Sequence, residues 1–282
     1  MSSLLASLDA PPSGRQRPIW FDAADYGRAK LLAGGAVPWD SPADLTAFFG
    51  KLQGMFRSDA VLVDVADLFA QRAAADSSLR VAMAARTRPG YALRTLLADE
   101  QARAAAAEAV LALSATNAAF PLILTVPTPG RWLDAAAEQA LPDSGPARAD
   151  RTETAAMYVA DVLRIFAGLG VDGLLLDEGG APAADLVHPE AYRSVLNVAD
   201  HYEWPVIIWT DAATAWPHGP VPGVALWLGT AGPSEPSGRW GVVVGPGFWA
   251  GESPLAEAGL VLAPVPAEAD PEAVMKQVRA LA

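Results

Sequence analysis

The 282-residue chain reads as an α/β protein, a single (β/α)8 TIM barrel with an N-terminal extension and shortened helices in its second half. Three observations predict this. Short apolar runs recur between turn residues, and their lack of alternation suits strands of a parallel sheet buried on both faces. Helical periodicity separates these runs through the first two-thirds of the chain. The length also lies close to the roughly 250 residues usual for such barrels, and no linker marks a second domain, so 1–282 is read as one unit.

Along the chain, Pro11-Pro12-Ser13-Gly14 marks a loose arm over 1–17, and Pro18-Ile19-Trp20-Phe21 follows as a short strand or anchor. Ser41 and Pro42 combine an N-cap with proline at the first helical position, opening a helix through about Phe56. Barrel strands are expected from about residue 60 onward, at 61–65, 79–84, 121–126, 173–176, 206–209, 224–228, 241–244 and 260–264. Crossover helices are expected over 93–115, 152–169 and 189–201. After Trp209 the connections turn rich in proline and glycine, so the outer helices are expected to be reduced there.

With 52% hydrophobic residues the chain can bury one large core or two modest ones. A net charge of -12 argues against nucleic acid or an anionic membrane as partner. The absence of cysteine excludes disulfides, thiolate zinc sites and a cysteine nucleophile. The first residues show neither a signal peptide nor a membrane span, which makes a cytoplasmic protein the expectation. No cofactor is expected, and the acidic rim of Asp177, Glu178 and Asp211 leaves open a divalent cation held through oxygen ligands. A homodimer is left open.

Candidate site residues follow from where the strands end, because chemistry in these barrels sits at the C-terminal ends of the strands. The run from Gly170 to Gly180 ends its strand on Asp177 and Glu178, and neighbours on a strand point apart, so only one of them can face the axis. Asp64 and Asp67 close the 61–65 run, and Asp211 closes that at 206–209. Arg86 and Arg88 form the densest cationic cluster at an expected strand end, suited to two-point capture of a carboxylate or phosphate. Thr128 and Arg131 are a weaker version. Trp209, Trp227 and Trp249 offer flat apolar walls, and His218 can act as acid or base near neutral pH.

Several of these segments together resemble a known family. Pro18-Ile19-Trp20, the Asp59 to Leu68 segment, Phe120 to Pro129, Thr154 to Glu178, and Gly241 to Gly247 resemble, in order, segments of the uroporphyrinogen decarboxylase family. The wider superfamily includes cobalamin-independent methionine synthases and corrinoid methyltransferases. The resemblance implies a barrel and a cofactor-independent lyase acting on a small anionic or aromatic carboxylate. It implies Asp67 and Asp177 as site aspartates, and the cluster of Arg86 and Arg88 would stand in for arginines of the family that this chain lacks. Where the family carries an arginine-rich segment after its PVW, this chain has Phe21 to Arg28. Only Tyr26 and Arg28 remain there as candidate substrate contacts, so porphyrinogen is not the expected substrate. Zinc-dependent thiol methylation does not fit either, since His188, His201 and His218 lack a close ligand spacing. Two further readings stand beside the lyase. One is a glycosidase-like barrel using paired carboxylates, and the other is a non-catalytic ligand-binding barrel.

Overall fold

The computed structural model describes residues 3–88, 90–141, 152–179, 189–210, 221–230, 238–253 and 259–281. Within them the chain forms a (β/α)8 barrel of parallel strands: β1 Ile19–Asp22, β2 Val61–Asp64, β3 Leu122–Pro127, β4 Gly173–Asp177, β5 Val206–Thr210, β6 Val224–Gly229, β7 Trp240–Val243 and β8 Val261–Pro264. The helices are α1 Ser3–Asp9, α2 Ala24–Leu31, α3 Pro42–Phe56, α4 Val65–Ala75, α5 Ser77–Ala84, α6 Tyr91–Leu97, α7 Glu100–Thr116, α8 Pro129–Ala140, α9 Thr152–Leu163, α10 Arg193–His201, α11 Pro246–Trp249 and α12 Pro271–Ala280. Alternation along the strands sorts the core. Trp20, Ile123, Leu175, Ile207 and Leu262 belong to an axial cluster, while Ile19, Leu124, Leu176, Ile208 and Ala263 belong to the layer beneath the helices.

Two expectations are corrected at the start of the barrel. Residues 79–84 are not a strand but most of α5. Asp76 caps this helix by accepting from the backbone N–H of Ser78 and Leu79. Leu79 and Met83, four residues apart, are buried, whereas Val81 between them is 71% exposed, a helical pattern of burial. The eighth strand is instead β1, so the barrel begins at residue 19 rather than near 60.

Nor is the 1–17 arm loose throughout. Its α1 buries Leu4 in the axial cluster, and a Cβ built on Gly173 would lie 2.4 Å from Leu4 Cδ2. Glycine at the first residue of β4 thus makes room for a helix that stoppers the N-terminal end of the barrel.

The strands pair in the order β1-β8-β7-β6-β5-β4-β3-β2, which leaves β1 and β2 facing each other across a seam. Side chains from the turn before β2 bridge it. Asp59, fully buried, accepts from Ile19 N at 2.9 Å and from Ser13 N at 2.8 Å, and its carboxylate pairs with Arg15 at 3.4 Å. Ser58 Oγ accepts from Phe21 N at 3.0 Å and donates to Ala60 O at 2.6 Å. Backbone groups of β1 that a ladder would have satisfied find side-chain acceptors instead.

The helix expected over 93–115 divides into α6 and α7 at Asp99, which caps α7 by accepting from Ala102 N at 2.8 Å and pairs with Arg72 at 3.3 Å. Asp99→Ala is expected to cost about 1–2 kcal/mol, read from urea unfolding followed by circular dichroism; an unchanged midpoint would mean the cap is idle. Beyond β5 the described helices are the four-residue α11 and the ten-residue α12, in line with the reduced outer layer expected there. No described helix is long and apolar enough to cross a membrane.

Candidate functional site at the barrel mouth

Three strands end alike: β1 reads IWFD, β2 VLVD and β4 GLLLD, each an apolar run closing on aspartate. Trp20 and Asp22, Leu62 and Asp64, and Leu175 and Asp177 are each two positions apart, which sets all three aspartates on the axial side at the C-terminal ends of their strands. There they line a cavity of about 690 Å³ together with Trp39, Trp132 and Trp209. Catalytic residues of barrel enzymes come from this end of several different strands.

The environment of each carboxyl sets its protonation. Burial, reinforced by the charges of Asp25 and Asp177, pushes Asp22 up to about 6, against a hydrogen bond from the backbone of Ala24. Asp64 rises to about 7 for the same leading reason, with Asp22 and Asp67 adding to burial while backbone N–H groups of Asp67 and Ala66 oppose it. Asp64 is exposed to the water of the cavity, so its raised value reflects its place among the neighbouring carboxyls Asp22 and Asp67 at the cavity floor as well as burial. Asp64 also caps α4, accepting from Ala66 N at 2.9 Å and Asp67 N at 3.3 Å. Asp67 lines the same cavity from the first turn of α4, where it accepts from Trp39 Nε1 at 2.9 Å and Gln71 Nε2 at 2.6 Å. Asp177 is held from α8 by Arg131, whose Nη1 lies 2.7 Å from Oδ2 and 3.0 Å from the Asp177 carbonyl.

No protein-family model and no curated protein matches this chain.

The structure gathers part of the expected set. Asp64, Asp67, Asp177, Arg28 and Trp209 line the cavity. Arg28 is already engaged, 3.3 Å from Asp25 and 4.0 Å from Asp67. Arg86 and Arg88 do not close a strand; they are exposed after α5, outside the cavity lining, with Arg86 over the ring of Tyr91 at 5.2 Å. Tyr26 is buried edge-on to Phe56 in the outer core, and Trp227 also packs there. Trp249 packs against Phe21 and Phe248. Glu178 is buried on the side away from the axis, where the Tyr192 hydroxyl donates to it; burial raises its pKa while Tyr192 and Arg131 oppose the rise. Asp211 and His218 lie outside the described residues.

Asp22 and Trp39 were absent from the sequence candidates. The signal for Asp22 was present, since Ile19 to Asp22 repeats the pattern of β2 and β4. Trp39 lies in an irregular stretch before α3, and only tertiary packing brings it to Asp67. Among the described residues no three His, Asp or Glu side chains cluster closely enough to hold a metal ion.

The raised carboxyl at Asp64 has a stability signature. Its folded value of about 7 exceeds the ordinary 3.8, so the stability linked to this group is fully present below about pH 4 and is lost as pH rises through 7. Asp64→Asn, which keeps a capping oxygen, is expected to melt above the wild type at pH 8, with the difference fading toward pH 4. An equal or lower melting temperature for the variant at pH 8 would contradict the raised pKa of this carboxyl.

Proposed function

We propose that the barrel is a hydrolase-type enzyme that works by carboxylate acid–base catalysis on a small, uncharged or positively charged polyhydroxylated substrate, in the manner of a glycosidase. Asp64, which keeps its proton longest, donates it to the departing oxygen. Asp22, which ionises first, supplies the charge that activates water or stabilises the developing cation. Asp177, fixed by Arg131, shapes the wall and holds a polar group of the substrate. The observation that supports this reading is the meeting, in one cavity, of two aspartates raised to about 6 and about 7.

The lyase reading, with its kinship to the uroporphyrinogen decarboxylase superfamily, is the second proposal. It is favoured by the order of the matching segments along the chain and by Arg28 at the cavity. It calls for arginines free to bind an anion. Arg28 and Arg131 are each held by aspartates, and Arg86 and Arg88 lie elsewhere. A panel of 4-nitrophenyl glycosides assayed between pH 5 and 8, alongside a panel of aromatic carboxylates assayed for released carbon dioxide, separates the two. Nitrophenol release lost in Asp64→Asn supports the first; carbon dioxide release without it supports the second.

A further inference from the structure

We infer that the mouth cavity takes a substrate carrying a positively charged nitrogen, an inference that rests on the acid–base reading and narrows its substrate class. The lining holds the carboxylates of Asp22, Asp25, Asp64, Asp67, Glu138 and Asp177 against the single guanidinium of Arg28. Arg28 lies between Asp25 and Asp67, and Arg131, reaching in from α8, is taken up by Asp177. Asp22 and Asp64 are left without a cation among the described residues. A field of one sign inside a low-dielectric cavity attracts the opposite charge and repels its own.

The walls add a second, independent argument. Trp39, Phe49, Trp132 and Trp209 contribute aromatic surface to the same cavity, and aromatic faces favour an organic cation over an uncharged group of equal size. Two polar atoms on lining residues, Trp209 Nε1 and Thr125 Oγ1, are buried with no hydrogen-bond partner among the described residues. Buried polar groups left unpaired are unfavourable, and a ligand hydroxyl reaching the floor, with a small side-chain rotation, would satisfy them. A cationic nitrogen among the carboxylates and rings, with hydroxyls directed to the floor, uses every one of these features.

Three probes of one shape and different charge test this. The full chain is titrated by calorimetry with choline, its uncharged isostere 3,3-dimethylbutan-1-ol, and the anion 3,3-dimethylbutanoate. At pH 8, where Asp22 and Asp64 have both ionised, choline is expected to bind about tenfold or more tighter than the alcohol, with the anion weakest, and its advantage should shrink in Asp64→Asn. The comparison on the wild type stands even if the variant folds poorly. If the alcohol binds as tightly as choline, or none of the three binds, the inference is overturned while the acid–base reading keeps its own test. Tightest binding of the anion would overturn both.

Discussion

Asp59→Ala is expected to destabilise the protein by about 3–5 kcal/mol, the scale for removing one partner of a buried ion pair. The substitution strips the acceptor from Ile19 N and Ser13 N and leaves Arg15 beside an empty position. It does so at the only place where neighbouring strands of the described barrel lack a ladder, so the loss acts on closure itself. Ser58→Ala, which removes the acceptor of Phe21 N and the donor to Ala60 O but breaks no ion pair, should cost less, about 1–3 kcal/mol. Urea unfolding of both variants checks the ranking. Equal, small effects would show that the seam is held by apolar packing rather than by these acceptors.

Asp64→Asn is expected to lower turnover of the responsive substrate by about 10²–10⁴-fold, the usual range for losing a general acid. Asp22→Asn should act on the same order, because a carboxamide can neither activate water nor carry charge. The wild-type profile should be bell-shaped, with activity highest where Asp22 has ionised and Asp64 has not, between about 6 and about 7. Its acid limb should vanish in Asp22→Asn and its alkaline limb in Asp64→Asn. A profile flat across that interval, or one unaltered by either variant, would remove the pair from the mechanism.

Much of this architecture is written in local pattern. Strands β3, β4 and β5 are apolar runs too short for helices, and each lies within a residue or two of its expected span. The parity of β4 separates Asp177 from Glu178 without coordinates, and the burial of Glu178 against Tyr192 follows that parity. Where the reading failed, a second signal competed. Leu79 to Ala84 is apolar enough for a strand, but the Asp76 cap and the four-residue spacing of Leu79 and Met83 point to a helix. That single misplacement carried Arg86 and Arg88 to a strand end that does not exist. The segment of β1, legible as a short strand or anchor, escapes the count of barrel strands because it is only four residues long and stands apart from β2 by α2 and α3. Its loss from the count hid Asp22. Trp39 and Arg131 could not be weighted from sequence, since their importance lies in which aspartate each one reaches.

The central claim is that two aspartates at the mouth of the barrel exchange their protons near neutral pH. Carbon-13 NMR of protein labelled at the aspartate carboxyls, titrated from pH 3 to 9 with Asp22→Asn and Asp64→Asn to assign the signals, tests it most directly. Two carboxyls are predicted to titrate at about 6 and about 7, one missing from each variant, with the Asp64 midpoint falling when Asp22 is replaced. If both signals titrated near the ordinary 3.8, the cavity would be well hydrated at its floor and the account of the site would be wrong.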